Sequence, residues 1–225
     1  MRMLRTGFAC LVFGALVPQV ASAEQVLFSN FGVNNSYDTV RATFFGLDEE
    51  QTDPDDSFSR AMAFIPNATG RVTAVALPVE FPWFTEPGWT NGSLEINLFE
   101  AAGELPGRVL ESFSSTGTHL PNTISMFESI ARPQLIAGVL YFLEARTIGQ
   151  ANGLWSLSLS DSTQQVPDYR RIGNGPWEKR TRVFPAAAFS VSGDVDPAPV
   201  PEPSMLLLLA SGLAIVARRR RLRVH

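Results

Sequence analysis

Cysteine and histidine are scarce in this chain of 225 residues, which has one cysteine and two histidines. Cys10 lies in the N-terminal segment and His225 is the last residue, so the central region keeps His119 alone. A single thiol forms no disulfide within the chain, and one histidine without cysteines does not make a Cys/His zinc site. We therefore expect the central region to be stabilised by a packed core.

Long hydrophobic runs are also missing. The C-terminal apolar run from Met205 to Ala217 has 13 residues, which as a helix is about 20 Å long, whereas a comfortable membrane span needs about 20 residues. Arginines follow the run and predict that this end stays in the cytoplasm. We expect a Pro-rich linker at 195–203, a short membrane helix at 204–217 and an Arg-rich cytoplasmic tail at 218–225.

The C-terminal segment resembles a known sorting signal. Its parts stand in order at the end of the chain: Val200, Pro201, Glu202 and Pro203, then the apolar run, then Arg218, Arg219, Arg220, Arg221 and Arg223. This order is similar to the PEP-CTERM sorting signal of Gram-negative bacteria. The resemblance implies processing by an exosortase, a multi-spanning membrane protease with a cysteine nucleophile, and transfer to the cell surface or the exopolysaccharide matrix of a biofilm. An unprocessed tail-anchored envelope protein is the alternative.

The N-terminus has the features of a secretory signal peptide over residues 1–23. Arg2 and Arg5 precede an apolar stretch at 7–17, and Ala21 and Ala23 form an A-x-A cleavage site. Signal peptidase and the secretion machinery are the partners that this predicts, followed by a transient stay in the inner membrane. Cys10 lies inside the apolar stretch, so we do not predict a lipoprotein.

Basic residues become scarce once both signals are removed. The full chain has 18 basic and 22 acidic residues, and loss of the seven terminal arginines leaves 11 basic against 22 acidic, a net charge of −11. A nucleic-acid binder needs a basic face. The mature protein is therefore predicted not to bind nucleic acid, whereas its charge is compatible with cations and with solubility among polysaccharides.

Period-two alternation with turn residues between the runs predicts strands across residues 24–194, which we expect to form one domain. No uninterrupted helical stripe is present. The alternation is clearest at 93–98, 155–160 and 189–192; weaker candidates are 26–29, 40–46, 58–65, 72–79, 109–114, 123–130 and 140–146. Nine or ten short strands favour an all-β fold, an antiparallel β-sandwich that is jelly-roll-like rather than a closed barrel.

The central region also resembles bacterial choice-of-anchor domains, which share a surface domain and differ in the attached C-terminal anchor. The similar stretches are 28–32, 36–38, 61–64, 98–100, 105–107, 137–143, 153–155 and 185–193. This resemblance implies an exported β domain. It carries over no catalytic residue.

A cluster of carboxylates near residue 50 is a candidate Ca²⁺ site. Six acidic residues fall within nine positions: Asp48, Glu49, Glu50, Asp53, Asp55 and Asp56. A hard cation would relieve their repulsion through oxygen ligands, with Asp48, Asp53, Asp55 and Asp56 as the candidate set. The alternative is a solvated acidic loop, and no other cofactor is predicted.

Three tryptophans in segments rich in Pro and Gly are candidates for carbohydrate binding. Trp83, Trp89 and Trp177 could stack on sugar rings if their faces are exposed. The alternative is that these rings close one end of the sandwich.

We predict no enzymatic activity. His119 follows Thr116-Gly117-Thr118 without a nucleophile-elbow motif. Carboxylate pairs such as Glu80 with Glu86, or Glu95 with Glu100, occur in any acidic domain. The sequence favours a non-enzymatic adhesion or carbohydrate-contact module outside the cell, with a carbohydrate-active hydrolase as the alternative.

Overall fold

The computed structural model describes residues 24–47, 57–83, 92–159 and 165–195. These ranges form antiparallel strands with one 3-10 turn, Val33–Asn35, and contain no α-helix. The predicted all-β antiparallel fold is thus confirmed. The predicted signal helix and the C-terminal helix lie outside the described residues, and within these residues no helix is long and apolar enough to cross a membrane.

Fourteen strands are described. They are β1 Glu24–Ser29, β2 Tyr37–Gly46, β3 Phe58–Phe64, β4 Gly70–Leu77, β5 Val79–Glu80, β6 Ser93–Ala102, β7 Leu105–Ser115, β8 Ser125–Glu128, β9 Gln134–Leu135, β10 Tyr141–Ile148, β11 Asn152–Ser158, β12 Gln165–Ile172, β13 Glu178–Pro185 and β14 Ser190–Val195.

The strands form two sheets. The smaller sheet has the order β1-β14-β4-β8, with β9 also paired to β4. The larger sheet has the order β5-β11-β2-β3-β10-β6-β7, and the pair β12-β13 branches from β3. In the described part of the chain, β7 and β8 are free edges of their sheets, and the whole is a curled half-barrel rather than a closed barrel.

A common hydrophobic core lies between the two sheets. Val72, Val75 and Val191 come from the smaller sheet, and Phe45 and Trp155 come from the larger one. The predicted alternation places its apolar residues here: Leu94, Ile96, Leu98, Trp155, Phe189 and Val191 are all at most 1% exposed. Burying each such side chain contributes about 1.5–3 kcal/mol. The arrangement of two sheets around one core is the predicted sandwich, while the jelly-roll strand order stays a prediction.

The predicted strands coincide with those of the structure except at a few places. Pro78 divides the predicted 72–79 run into β4 and β5, because proline has no N–H to donate to the ladder. β11 ends at Ser158, so Leu159 is not part of the strand and is 47% exposed. Strands β9, β12 and β13 were not predicted.

A second apolar layer covers the other face of the larger sheet. Ala61 and Phe142 belong to it, whereas their chain neighbours Met62 and Leu143 belong to the central core. Successive residues of a strand point to opposite faces, so the two clusters lie on opposite sides of the sheet. Tyr169 of β12 packs edge-on against Phe142 with ring centroids 4.9 Å apart. The β12-β13 pair therefore adds a layer to the sandwich.

An ion pair is buried beneath this layer. Glu144 of β10 is fully buried, and Arg171 of β12 donates to both of its carboxylate oxygens, from Nε at 2.9 Å and from Nη2 at 3.0 Å. Asn97 Nδ2 of β6 donates to the same carboxylate at 2.9 Å. Asn97 and Ser158 alternate with core residues and were expected to face solvent, but both are buried. Asn97 is covered by the outer layer, and Ser158 donates its hydroxyl hydrogen to the Asn30 carbonyl.

Both ends of the domain lie at one end of the smaller sheet. Glu24, the first described residue, pairs with Asp194, and Val195 pairs with Gly70. The chain therefore enters and leaves the sandwich at the same place.

Candidate functional site

Trp83 and Trp177, the two described tryptophans of the predicted carbohydrate-binding set, have different surroundings. Trp83 is 41% exposed and meets Phe44 edge-on at 5.8 Å between ring centroids. Trp177 packs in the outer layer, edge-on against Phe99 at 6.0 Å, with the Arg171 guanidinium 4.8 Å from its ring centroid. Trp89 lies outside the described residues. Of the two described rings, Trp83 is the more exposed, and Trp177 is half-buried.

Several predicted site residues lie outside the described part of the chain. They are the candidate Ca²⁺ ligands Asp48, Asp53, Asp55 and Asp56, the cleavage-site residues Ala21 and Ala23, and the sorting-signal residues Val200 to Pro203 and Arg218 to Arg221. Within the described ranges, no three His, Cys, Asp or Glu residues come together in a way that could hold a metal ion.

The carboxylates considered for hydrolysis have separate surroundings. Glu100 accepts two hydrogen bonds from Arg108, at 3.0 and 2.9 Å, and this contact lowers the pKa of Glu100. Glu95 is 3.9 Å from Arg146. Burial raises the pKa of Glu80, while Glu86 lies outside the described residues. Glu95 and Glu100 therefore each face a different arginine.

The free edges of the two sheets border a cleft of about 610 Å³, which we call the β7–β8 cleft. Glu111, Phe113 and Ser115 of β7 line one side, and Met126 and Phe127 of β8 line the other. The Phe113 and Phe127 rings meet edge-on, with centroids 6.3 Å apart, and both are buried. The cleft is thus a gap between two edge strands with an aromatic floor.

His119 joins the two strands at one end of the cleft. Its Nε2 is 2.9 Å from Ser115 Oγ of β7, and its Nδ1 is 2.7 Å from Ser125 Oγ of β8. The ring stacks on Phe127 at 5.5 Å between centroids. Ser115 Oγ also accepts the Gly117 N–H at 3.3 Å. Both hydroxyls can donate to the ring or accept from it, so His119 bridges the two strands in either neutral tautomer.

Glu111 joins the strands at the other end. Its carboxylate accepts the Ser129 hydroxyl at 2.5 Å and the backbone N–H groups of Ile130 and Ala131 at 2.7 and 2.9 Å, directly after β8. Glu111 is buried, so these donors replace the water that its charge would otherwise require. The cleft is therefore closed at both ends by side chains that cross from β7 to the β8 region.

The β7–β8 cleft has the size of a small-ligand site, which is typically about 300–1,000 Å³. It presents the Ser115 hydroxyl, the His119 ring and an aromatic floor. Sequence reasoning missed it because its residues come from two strands and a loop that meet only in the fold. The one signal was His119, the single histidine of the central region.

We predict that His119 makes stability depend on pH. Burial lowers the pKa of His119 below its value of about 6.5 in the unfolded chain. Below that pH the unfolded state binds more protons than the folded state. The contribution of His119 to the free energy of unfolding is therefore complete above a pH of about 6.5 and is lost as the pH falls. Urea unfolding at about pH 8 and about pH 5 measures this effect. Between the two pH values, the free energy of unfolding should fall more for the wild type than for His119→Gln. Equal losses would contradict the prediction.

Comparison with known proteins gives a match at the C-terminus. Residues 199–221 match the PEP-CTERM protein-sorting motif. No characterised protein matches the chain. The match spans the PEP residues, the apolar run and the first arginines, and it implies export and membrane-associated sorting toward the cell surface. The chain therefore carries a PEP-CTERM sorting motif at its C-terminus.

Proposed function

We propose that this protein acts outside the cell as a non-enzymatic adhesion or carbohydrate-contact module, after processing by an exosortase. The observation that carries the proposal is the sorting motif at residues 199–221. Signal peptidase cuts after Ala23, the C-terminal helix holds the domain briefly in the inner membrane, and the exosortase transfers it to the surface or to the exopolysaccharide matrix. The antiparallel sandwich is the part that is delivered.

The arrangement of the chain ends supports this sequence of events. Glu24 and Val195 lie at the same end of the smaller sheet, and both are terminal to the fold. Removing the segments before Glu24 and after Val195 breaks none of the strand pairs formed among the described residues. The sandwich described here therefore keeps all its strand pairs through both cleavages.

Mass spectrometry of the mature surface protein tests the sorting step. We expect the residues from Arg218 to His225 to be absent and the N-terminus to begin at Glu24. In a variant with Pro201, Glu202 and Pro203 changed to alanine, the tail should remain attached and the protein should accumulate in the inner membrane. An intact tail on wild-type surface material would instead support the unprocessed tail-anchored protein.

Carbohydrate contact is supported by the exposed ring of Trp83. Ring stacking contributes about 0.5–1.5 kcal/mol, so Trp83→Ala should weaken binding to a neutral polysaccharide about 2- to 12-fold. Leu159→Ala is the matched control, because Leu159 is also half-exposed, at 47%, and is not aromatic. Titrations against neutral and anionic polysaccharides, with and without Ca²⁺, provide the measurement. No binding in any of them would leave a scaffold role, and release of reducing sugars would favour the hydrolase alternative.

A further inference from the structure

The end of the sandwich that carries both chain ends also carries an apolar loop. Gly70 of β4 pairs with Val195 on one side and with Leu135 of β9 on the other. Neighbouring strands are about 4.8 Å apart, which places Leu135 about 10 Å from the point where the chain leaves. Residues 136–139 follow directly, and we call them the Ile136 loop.

Two aliphatic side chains of this loop face solvent. Ile136 is 52% exposed and Val139 is 42% exposed. Ile65, which precedes Pro66 at the same end of the sandwich, is 50% exposed. Three half-exposed aliphatic residues therefore lie at the end of the sandwich where the chain leaves.

Hydrogen bonds hold the Ile136 loop in place. The Ala137 N–H donates to Thr69 Oγ1 at 3.0 Å and the Gly138 N–H donates to the Pro66 carbonyl at 3.1 Å. The Ile136 N–H donates to the Tyr141 hydroxyl at 3.1 Å. The N–H groups of residues 136–138 are thus satisfied within the protein, and the apolar side chains of the loop are presented on a fixed support.

The linker keeps this end close to the membrane before processing. Nine residues, 196–204, separate Val195 from the apolar run, and four of them are prolines. A Pro-rich segment extends about 3.1 Å per residue, so the linker reaches about 30 Å. Because the tether holds the domain at the bilayer, contact between the domain and the lipid behaves as an intramolecular event. A patch too small to bind lipid by itself then binds it.

We propose that this end of the domain is a membrane-contact surface, with Ile136 and Val139 entering the lipid interface while the tail is embedded. The proposal rests on the anchored intermediate of the proposed function. The partner is the bilayer, because the tail brings lipid to this end in every copy of the chain. Exposed Arg71 lies opposite Gln134 in the β4-β9 ladder and opposite Asp194 in the β4-β14 ladder. Since Asp194 is already ion-paired with Arg132, Arg71 adds a positive charge beside the anionic headgroups.

An environment-sensitive fluorophore tests the proposal. With Cys10 replaced by serine, the full chain has no other thiol. A nitrobenzoxadiazole label is attached in Val139→Cys, and for the control in Val33→Cys. Val33 is 84% exposed and lies just beyond Ser29, at the opposite end of β1 from Glu24. Both chains are reconstituted into vesicles of phosphatidylethanolamine and phosphatidylglycerol, and flotation that is lost on deletion of residues 205–217 confirms that the tail is inserted.

We expect the label at position 139 to shift its emission to shorter wavelength and to become brighter in vesicles, and the label at position 33 to stay unchanged. Equal spectra at the two positions in chains that float would overturn the membrane-contact surface while leaving the anchor intact. A shift that rises with protein concentration in the absence of lipid would assign the surface to a second copy, and would also overturn it. A chain that does not float would refute the anchored intermediate itself.

Discussion

Replacing Arg171 with methionine is expected to lower the free energy of unfolding by about 3–5 kcal/mol. The change leaves the Glu144 carboxylate, which is fully buried, without the guanidinium that donates to both of its oxygens. Asn97 remains as a donor, but it is neutral and supplies one hydrogen bond to this carboxylate. An uncompensated buried charge is costly because it has lost its water without gaining a counter-ion.

Urea unfolding followed by far-UV circular dichroism measures this effect. Arg146→Met is the matched control, because Arg146 is 3.9 Å from Glu95 and both side chains are partly exposed, so its loss should cost about 1 kcal/mol or less. Adding Glu144→Gln to Arg171→Met should restore part of the stability, since the amide carries no charge. A cost for Arg171→Met as small as that of the control would show that Glu144 does not depend on this partner.

Replacing Trp155 with alanine is expected to lower the free energy of unfolding by about 3–5 kcal/mol. Trp155 is fully buried in the central core, and its ring lies 5.9 Å from that of Phe189. Its Nε1–H donates to the Ala188 carbonyl at 2.8 Å, which joins β11 to the segment before β14. The substitution removes both the largest fully buried side chain among the described residues and a hydrogen bond between β11 and the segment before β14.

Trp155→Phe separates the two contributions, because it keeps a ring and removes the indole N–H. We expect this variant to lose about 1–3 kcal/mol. Val40→Ala serves as the control, since Val40 is 90% exposed and its truncation should change stability by about 0.5 kcal/mol or less. If Trp155→Ala unfolded at the same urea concentration as Val40→Ala, the proposed role of Trp155 in the core would be refuted.

The sequence predicts those parts of the fold in which burial follows strict alternation. Leu94, Ile96 and Leu98 face the core as the period of two requires, because β6 lies between two partners and has one face on the central core. The same rule fails for Asn97, which the alternation places at the surface. Its face of the sheet is covered by β12, and no pattern around residue 97 indicates a strand about 70 residues later.

The outer layer could not be predicted, for a related reason. Strand β12 contains Pro167, Asp168, Arg170 and Arg171 within eight residues, a composition typical of a loop. It forms a strand because its backbone pairs with β3 and because Arg171 forms an ion pair with Glu144, 27 residues earlier in the chain. Tertiary partners here outweigh local preference.

The candidate site shows the same limit. Trp83 meets Phe44, and Trp177 meets Phe99. Neither partner is near its tryptophan in the sequence, so the sequence does not show which ring is exposed and which is packed. His119 was noticed in the sequence, but Ser115 and Ser125 become its neighbours only when the edges of two sheets come together. The sorting motif is different, because it is linear and can be read without the fold.

The central position of β14 in its sheet has a mechanical consequence. β14 lies between β1 and β4, and the tail continues from its last residue. When the tail is held and a ligand pulls on the opposite end of the domain, tension runs along β14. Its hydrogen bonds to both neighbours are perpendicular to the strand, so they are sheared together instead of being unzipped one by one. Such a load path resists rupture, as the adhesive role proposed above requires.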